Sequence, residues 1–309
     1  MRKRRHHYIP KFYLRPWSEN ERVFCMRGRI IKPIGLSHVG VKEDFYAVRD
    51  LTMDDIQFLE KTIIAQSPEG TRAIHENTLY AFRLVAFANR MLQENPSLEN
   101  QAKREILDAV SNLDENYHES IEHYLQEAIN NMLSGTIDFF SDVSKAGFFL
   151  MSLGLFALRT KRTRERMKAT IRPPFEGFDV DRIYGPMIHM LAVNLGGNLL
   201  VDRFRYRIVL LHNYTTTAFI TGDQPVINIH ESMDEHGIPR EVEWYFPLSP
   251  QTAMLYVLAD NRCPSLHKKI AAADADFYNR RIVAEHHDQL YGISEKSLSP
   301  YLTDISITE

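Results

Sequence analysis

Ile183-Tyr184-Gly185-Pro186-Met187-Ile188-His189-Met190-Leu191-Ala192-Val193-Asn194-Leu195-Gly196-Gly197-Asn198-Leu199-Leu200-Val201 is followed by Asp202 and, a few residues later, by Arg207-Ile208-Val209-Leu210-Leu211. The first stretch is apolar almost all round a helix, which is the pattern of an interior helix. The second is a short β-branched run of the length and composition of a buried strand. The change of period at Asp202 therefore divides the chain. Beyond it, Ala218-Phe219-Ile220-Thr221, Glu241-Val242-Glu243-Trp244-Tyr245-Phe246 and Met254-Leu255-Tyr256-Val257-Leu258 read as further strands. A helix over about Ala271 to His287 and a last strand, Gln289-Leu290-Tyr291-Gly292-Ile293, complete this part.

Working back toward the amino terminus, helices are expected from Thr52 to about residue 200. Breaks fall at Ser67-Pro68, Asn95-Pro96, Ser134-Gly135 and the turn from Arg172 to Gly177. Thr52 ahead of Asp54 and Asp55 marks a helix start, and Ile56, Leu59, Ile63 and Ile64 then share one face. Residues 6–50 read as short strands: Val23 to Met26 and Arg29 to Ile31 flank a Gly28 turn, and Asp44 to Val48 forms another. Pairing of the first and last segments around a helical insert gives an α+β fold, with a mixed or antiparallel sheet and a large central helical region. The expected division is one domain over 1–309, with strands and motif in 1–50, helices in 52–201 and a β-rich part in 203–309.

Composition narrows the function classes. The chain has 309 residues, 44% hydrophobic and 25% charged, with 37 basic and 40 acidic residues for a net charge of −3. No global field draws it to nucleic acid or membrane. Local charge is less even: residues 1–35 hold ten Lys/Arg against two Glu, and Arg159 to Arg172 hold seven against Glu165 alone. Such patches can contact phosphates, although a solvated face is the commoner explanation. Two cysteines, Cys25 and Cys263, without CxxC spacing, point to a reducing cytoplasm. The longest apolar run, Ala146 to Leu158, is too short for a bilayer and reads as a buried helix. Walker A, GxGxxG, HExxH and paired CxxC signatures are all missing.

The densest chemistry lies in His6-His7-Tyr8-Ile9-Pro10-Lys11-Phe12-Tyr13-Leu14-Arg15-Pro16-Trp17. Adjacent histidines on a strand face opposite ways, so one can meet a core and the other a cleft. Imidazoles titrate near neutrality and can act as general acid and base, or ligate a metal. Asp223, in Thr221-Gly222-Asp223-Gln224-Pro225-Val226, sits where a buried strand meets a loop. That position suits a rigidly held catalytic carboxylate, or an Asx-turn that merely ends the strand. Asn279 falls in a helix interior, where propensity disfavours it and a specific bond is implied. Arg159, Arg162 and Arg166 fall on one face if a single helix continues through them.

His6-His7-Tyr8-x-Pro10-x-Phe12-Tyr13-Leu14-Arg15 together with Asp44-Phe45-Tyr46 resembles the start of the family catalogued as domain of unknown function 4238. The likeness continues through Thr221 to Val226, Pro247-Leu248-Ser249-Pro250, Arg162-Thr163 and Asn279-Arg280. Gly222 departs from a serine, Gln224 from an asparagine and Arg159 from a glutamine. The resemblance implies that His6, His7, Asp223 and Asn279 converge, and that the protein serves in bacterial defence against phage, where family members occur.

These readings combine into an expectation of a cytoplasmic antiphage effector, foremost a nuclease with RNA as the favoured nucleic acid. His6 and His7 would exchange the protons, with Asn279 orienting the assembly; whether Asp223 fixes an imidazole tautomer or holds a divalent metal stays open. Tyr13, Arg15, Arg159, Arg162, Arg166 and Arg280 would bind substrate. Two alternatives are an enzyme acting on a small nucleotide and a non-catalytic sensor of a phage protein. The first reading also allows a phage-encoded trigger.

Overall fold

The structure is a computed structural model that describes residues 5–43, 45, 49–95, 97, 100–230, 232, 235, 240–259 and 266–304. In chain order, β1 (Arg5–His7), α1 (Lys11–Leu14), β2 (Ser18–Glu19), β3 (Arg22–Arg27), β4 (Ile30–Gly35) and β5 (Val41–Glu43) come first. The helices α2 (Met53–Leu59), α3 (Glu69–Glu94), α4 (Asn100–Leu133), α5 (Val143–Leu158), α6 (Lys161–Thr170) and α7 (Val180–Val201) follow. The last part holds β6 (Tyr206–Asn213), β7 (Thr221–Gly222), β8 (Ile227–Asn228), β9 (Trp244–Pro247), β10 (Thr252–Leu258), β11 (His267–Ile270), α8 (Ala272–Glu285), β12 (Leu290–Gly292) and α9 (Glu295–Leu298). The α+β class and the central helical region are as the sequence predicts.

One sheet, ordered β11-β6-β10-β9-β8, is antiparallel except for the parallel β11–β6 pair. It is buried on both faces, which explains its near-continuous apolar strands. Alternate residues sort cleanly, as the period of two requires. Ile208, Leu210, Trp244, Phe246, Met254 and Tyr256 join a core containing Leu125, Phe149, Leu153 and Phe156 of α4 and α5. Val209, Leu211, Tyr245, Leu255 and Val257 face Ala275, Tyr278 and Ile282 of α8.

A second sheet, ordered β2-β3-β12-β7 with β4 on the other edge of β3, mixes the two ends of the chain. Within it, β12 pairs antiparallel with both β3 and β7. Gly28 closes the β3–β4 hairpin at φ +53°, a left-handed turn position that favours glycine. β1 pairs with β5 as a separate two-stranded ribbon.

The helical region begins as expected. Thr52 caps α2 in a reciprocal capping box with Asp55, and Ile56, Leu59, Ile63 and Ile64 are all buried against α7. α7 crosses α5 so closely that a Cβ on Gly196 would stand 2.6 Å from Met151 Cγ and 2.7 Å from its Cα. Among the described residues no single helix is long and apolar enough to cross a membrane.

Four details differ from the sequence reading. Of the expected 218–221 strand only Thr221 is paired, in a strand that runs on to Gly222, because Ala218 and Ile220 give their backbone bonds to a side chain instead. β9 starts at Trp244, not Glu241. β11, with one buried residue in four, carries no apolar signal and escapes the pattern. Of the expected strand from Asp44 to Val48, only Phe45 is described, in a turn; the rest lies outside the described residues.

Candidate functional site

The amino-terminal motif docks instead of dangling. In β1, His7 stands opposite Val41 and His6 opposite Lys42. The Tyr8 and Ile9 amides both donate to the Gly40 carbonyl, at 2.9 and 3.3 Å. Gly40 has φ +58°, and a Cβ there would lie 2.7 Å from Ile9 Cβ, so this approach needs glycine. Tyr13 is buried, its ring stacked 5.2 Å from Phe246 and edge-on to Phe156. Its hydroxyl donates to the Pro247 carbonyl at 2.9 Å and accepts from Thr221 at 2.6 Å. Trp17 Nε1 donates to the Phe219 carbonyl at 2.8 Å. The motif thus packs on the segment leading into Asp223.

Asp223 is 1% exposed. Its Oδ1 accepts from the His287 amide at 2.8 Å, and its Oδ2 accepts from the amides of Asp288 at 2.8 Å and Gln289 at 3.1 Å. Burial pushes its carboxyl above the ordinary carboxylate range, while the amides of His287 and Asp288 and the neighbouring His286 pull the other way. Every one of these hydrogen-bond partners is a donor, an arrangement that suits the ionised carboxylate. Asp223 therefore clamps the loop between α8 and β12. Three of the carboxylate's lone-pair positions are taken by backbone amides. Among the described residues no group of three or more His, Cys, Asp or Glu side chains could hold a metal ion.

Asn279 is fully buried and fully bonded. Its Oδ1 accepts from the Ile220 amide at 3.0 Å, and its Nδ2 donates to the Ala218 carbonyl and the Tyr301 hydroxyl, both at 2.9 Å. These bonds substitute for a strand partner along 218–220 and do not reach His7 or Asp223.

The arginines are dispersed and neutralised. Arg159 and Arg162 do not share one continuing helix, because α5 ends at Leu158 and Thr160 caps a new helix, α6. Arg159 is buried against Glu122 at 3.0 Å, with its guanidinium 5.2 Å from the Phe156 ring centroid. Arg162 donates to the His286 and Ala284 carbonyls at the end of α8 and pairs with Glu285. Arg166 also pairs with Glu285, Arg280 with Asp276 and Asp304, and Arg15 with Glu21.

The open chemistry lies one step from these residues. A cleft of ≈ 570 Å³ is lined by Arg27, Gly28, His38, Val41, Glu43, Asp288 and Gln289. Four elements build it: the β3–β4 turn, the turn over 36–38 that carries His38, the β5 strand that pairs with His6 and His7, and the loop clamped by Asp223. Gln289 forms its buried floor. The Gln289 Oε1 accepts from Tyr291 Oη at 3.0 Å and Arg27 Nη2 at 3.0 Å, and Nε2 donates to Tyr8 Oη at 2.9 Å. Burial pushes the Tyr8 hydroxyl far above the ordinary tyrosine range, so it stays protonated. Nearby Cys25 is pushed up by burial to about 11. At the rim, Asp288 is paired with Lys161.

The structure therefore brings the His6–His7 strand, Tyr8 and the Asp223 loop to one place, and leaves Asn279, Arg15 and Arg280 bonded to other partners. Sequence reasoning passed over Arg27, His38, Glu43, Asp288 and Gln289. A polar Gln289 opening an otherwise apolar strand, and Arg27 beside the Gly28 turn, were the available signals.

No curated protein and no solved structure matches the chain. A family described as protein of unknown function (DUF4238) matches residues 5–296, nearly its full length, and the chain belongs to that family.

Proposed function

We propose that the cleft above Gln289 is the active site of a cytoplasmic hydrolase that cleaves nucleotide phosphate bonds, foremost in RNA, as an effector of defence against phage. One observation carries this reading: an exposed imidazole, two carboxylates and a guanidinium, from His38, Glu43, Asp288 and Arg27, line one open volume beside the strand that bears His6 and His7. His38 supplies an imidazole and Glu43 a carboxyl group to the same volume, the two side-chain types most used in general acid–base catalysis. Asp223, Tyr8 and Gln289 act as positioning residues for the lining. Asn279 braces the 218–220 segment.

A second reading, a free nucleotide as substrate, draws support from the cleft's modest volume and from the neutralised arginines, which offer no basic track for a long strand. Purified protein incubated with total RNA and with a mixture of ribonucleotides separates the two. RNA fragmentation supports the first reading, and loss of free nucleotide with intact RNA supports the second. His38→Ala and Glu43→Gln should each lower the rate by about 100-fold or more. Full activity in both variants, or no change in either substrate pool, overturns the assignment and favours a sensor of a phage protein.

A further inference from the structure

We infer that Arg27 is the phosphate-binding residue of this cleft and that Gln289 is the positioning residue that aims it. The inference rests on the reading of the cleft as a phosphate-handling site. Its starting point is a contrast among arginines. Arg15, Arg159, Arg162, Arg164, Arg166 and Arg280 each contact a carboxylate. Arg27 does not pair with one among the described residues. Its Nη2 donates to Gln289 Oε1 at 3.0 Å and to the His38 carbonyl at 3.2 Å, both neutral acceptors. The guanidinium is fixed without being neutralised.

The geometry leaves usable donors. Arginine carries five N–H donors in a planar fork. Nη2 is engaged by these two acceptors, which leaves Nη1 and the positive charge of the guanidinium to meet a phosphate oxygen. Glu43 and Asp288 also line the cleft, and Asp288 is occupied by Lys161, so its charge is already balanced.

Gln289 can serve this role because its amide cannot turn over. Tyr8 Oη accepts from Nε2, and a flipped amide would set its NH2 against the guanidinium. The Gln289 backbone is held in turn by Asp223. Tyr8 of the amino-terminal motif, through the Gln289 side chain, and Asp223, through the Gln289 backbone, thereby both bear on the same residue of the cleft.

Calorimetric titration of the full chain with inorganic phosphate and with adenosine monophosphate, at low and high salt, tests the inference. The parent should bind both, more weakly as salt rises. Arg27→Lys should weaken binding about tenfold and Arg27→Gln should abolish it. Gln289→Glu sets a carboxylate against Arg27 and should weaken binding by about tenfold or more in a protein that still melts cooperatively. A merely structural Gln289 would lower the melting temperature and leave the affinity of the folded protein unchanged. Parent-level binding in Arg27→Gln, or no binding by the parent, overturns the inference. Arg27-dependent binding without cleavage of RNA or nucleotide would sink the proposed function and leave this one standing. Cleavage that does not need Arg27 would do the reverse.

Discussion

Replacing Asp223 with asparagine separates a structural clamp from a catalytic carboxylate. The side chain accepts three backbone amides, at 2.8, 2.8 and 3.1 Å, with Oδ2 taking two of them. Asparagine can keep its oxygen at the Oδ2 position, which preserves the Asp288 and Gln289 bonds as weaker neutral ones. Its NH2 then faces the His287 amide, donor against donor. A hydrogen bond to an ionised acceptor contributes about 1.5–3 kcal/mol and a neutral one about 0.5–1.5 kcal/mol. One lost bond and two weakened ones, less the relief of not burying a charge, give a destabilisation of about 2–4 kcal/mol. Urea unfolding at neutral pH with an unchanged slope measures it. Hydrogen exchange at 287–289 should accelerate in parallel. A loss under about 1 kcal/mol would refute the clamp. Full stability combined with abolished activity would move Asp223 into the chemistry itself.

Other outcomes follow from packing and charge. Gly196→Ala drives a methyl into the Met151 backbone and should destabilise by about 1–3 kcal/mol in thermal or urea unfolding. Burial pushes Asp55 up, yet bonds from Arg182 and Thr52 outweigh it and hold the carboxyl below its ordinary 3.8. Its stabilising effect is therefore present above about pH 3.8 and is lost as pH falls through the lowered value. Asp55→Asn should lower stability at neutral pH and flatten the acid limb of a stability–pH curve; an unchanged limb would refute this. Cys25, with its thiol raised to about 11, should react slowly with a thiol reagent in a Cys263→Ser background and rapidly in urea.

The fold was legible where periodicity is strong. The strands around Ile208 and Tyr256 and the helices around Leu153 and Ile188 are buried on both faces, so composition alone marks them. β11 was illegible because His267, Lys268 and Lys269 are exposed polar residues on a parallel edge strand, which carries no apolar period. At the site, the sequence pointed to a neighbourhood more than to its working surface. His6, His7, Tyr8 and Asp223 stand out because they concentrate imidazole, phenol and carboxyl groups in short apolar surroundings. Arg27, His38 and Glu43 lie on turns and exposed strand ends, where local pattern is silent and only the three-dimensional meeting of β3, β5 and the 286–289 loop makes them neighbours. Asn279 was rightly tied to a specific bond by its helix position, and that bond serves the backbone of Ala218 and Ile220.

Tyr8 meets Gln289 across 281 residues of chain, Tyr13 meets Pro247 across 234, and Trp17 meets Phe219 across 202. Contacts of such span close late, since their loop entropy is recovered only after the intervening chain has ordered. During synthesis the cleft cannot assemble before residue 289 has left the ribosome. Every truncated nascent chain holds Tyr8 with no Gln289 to receive it.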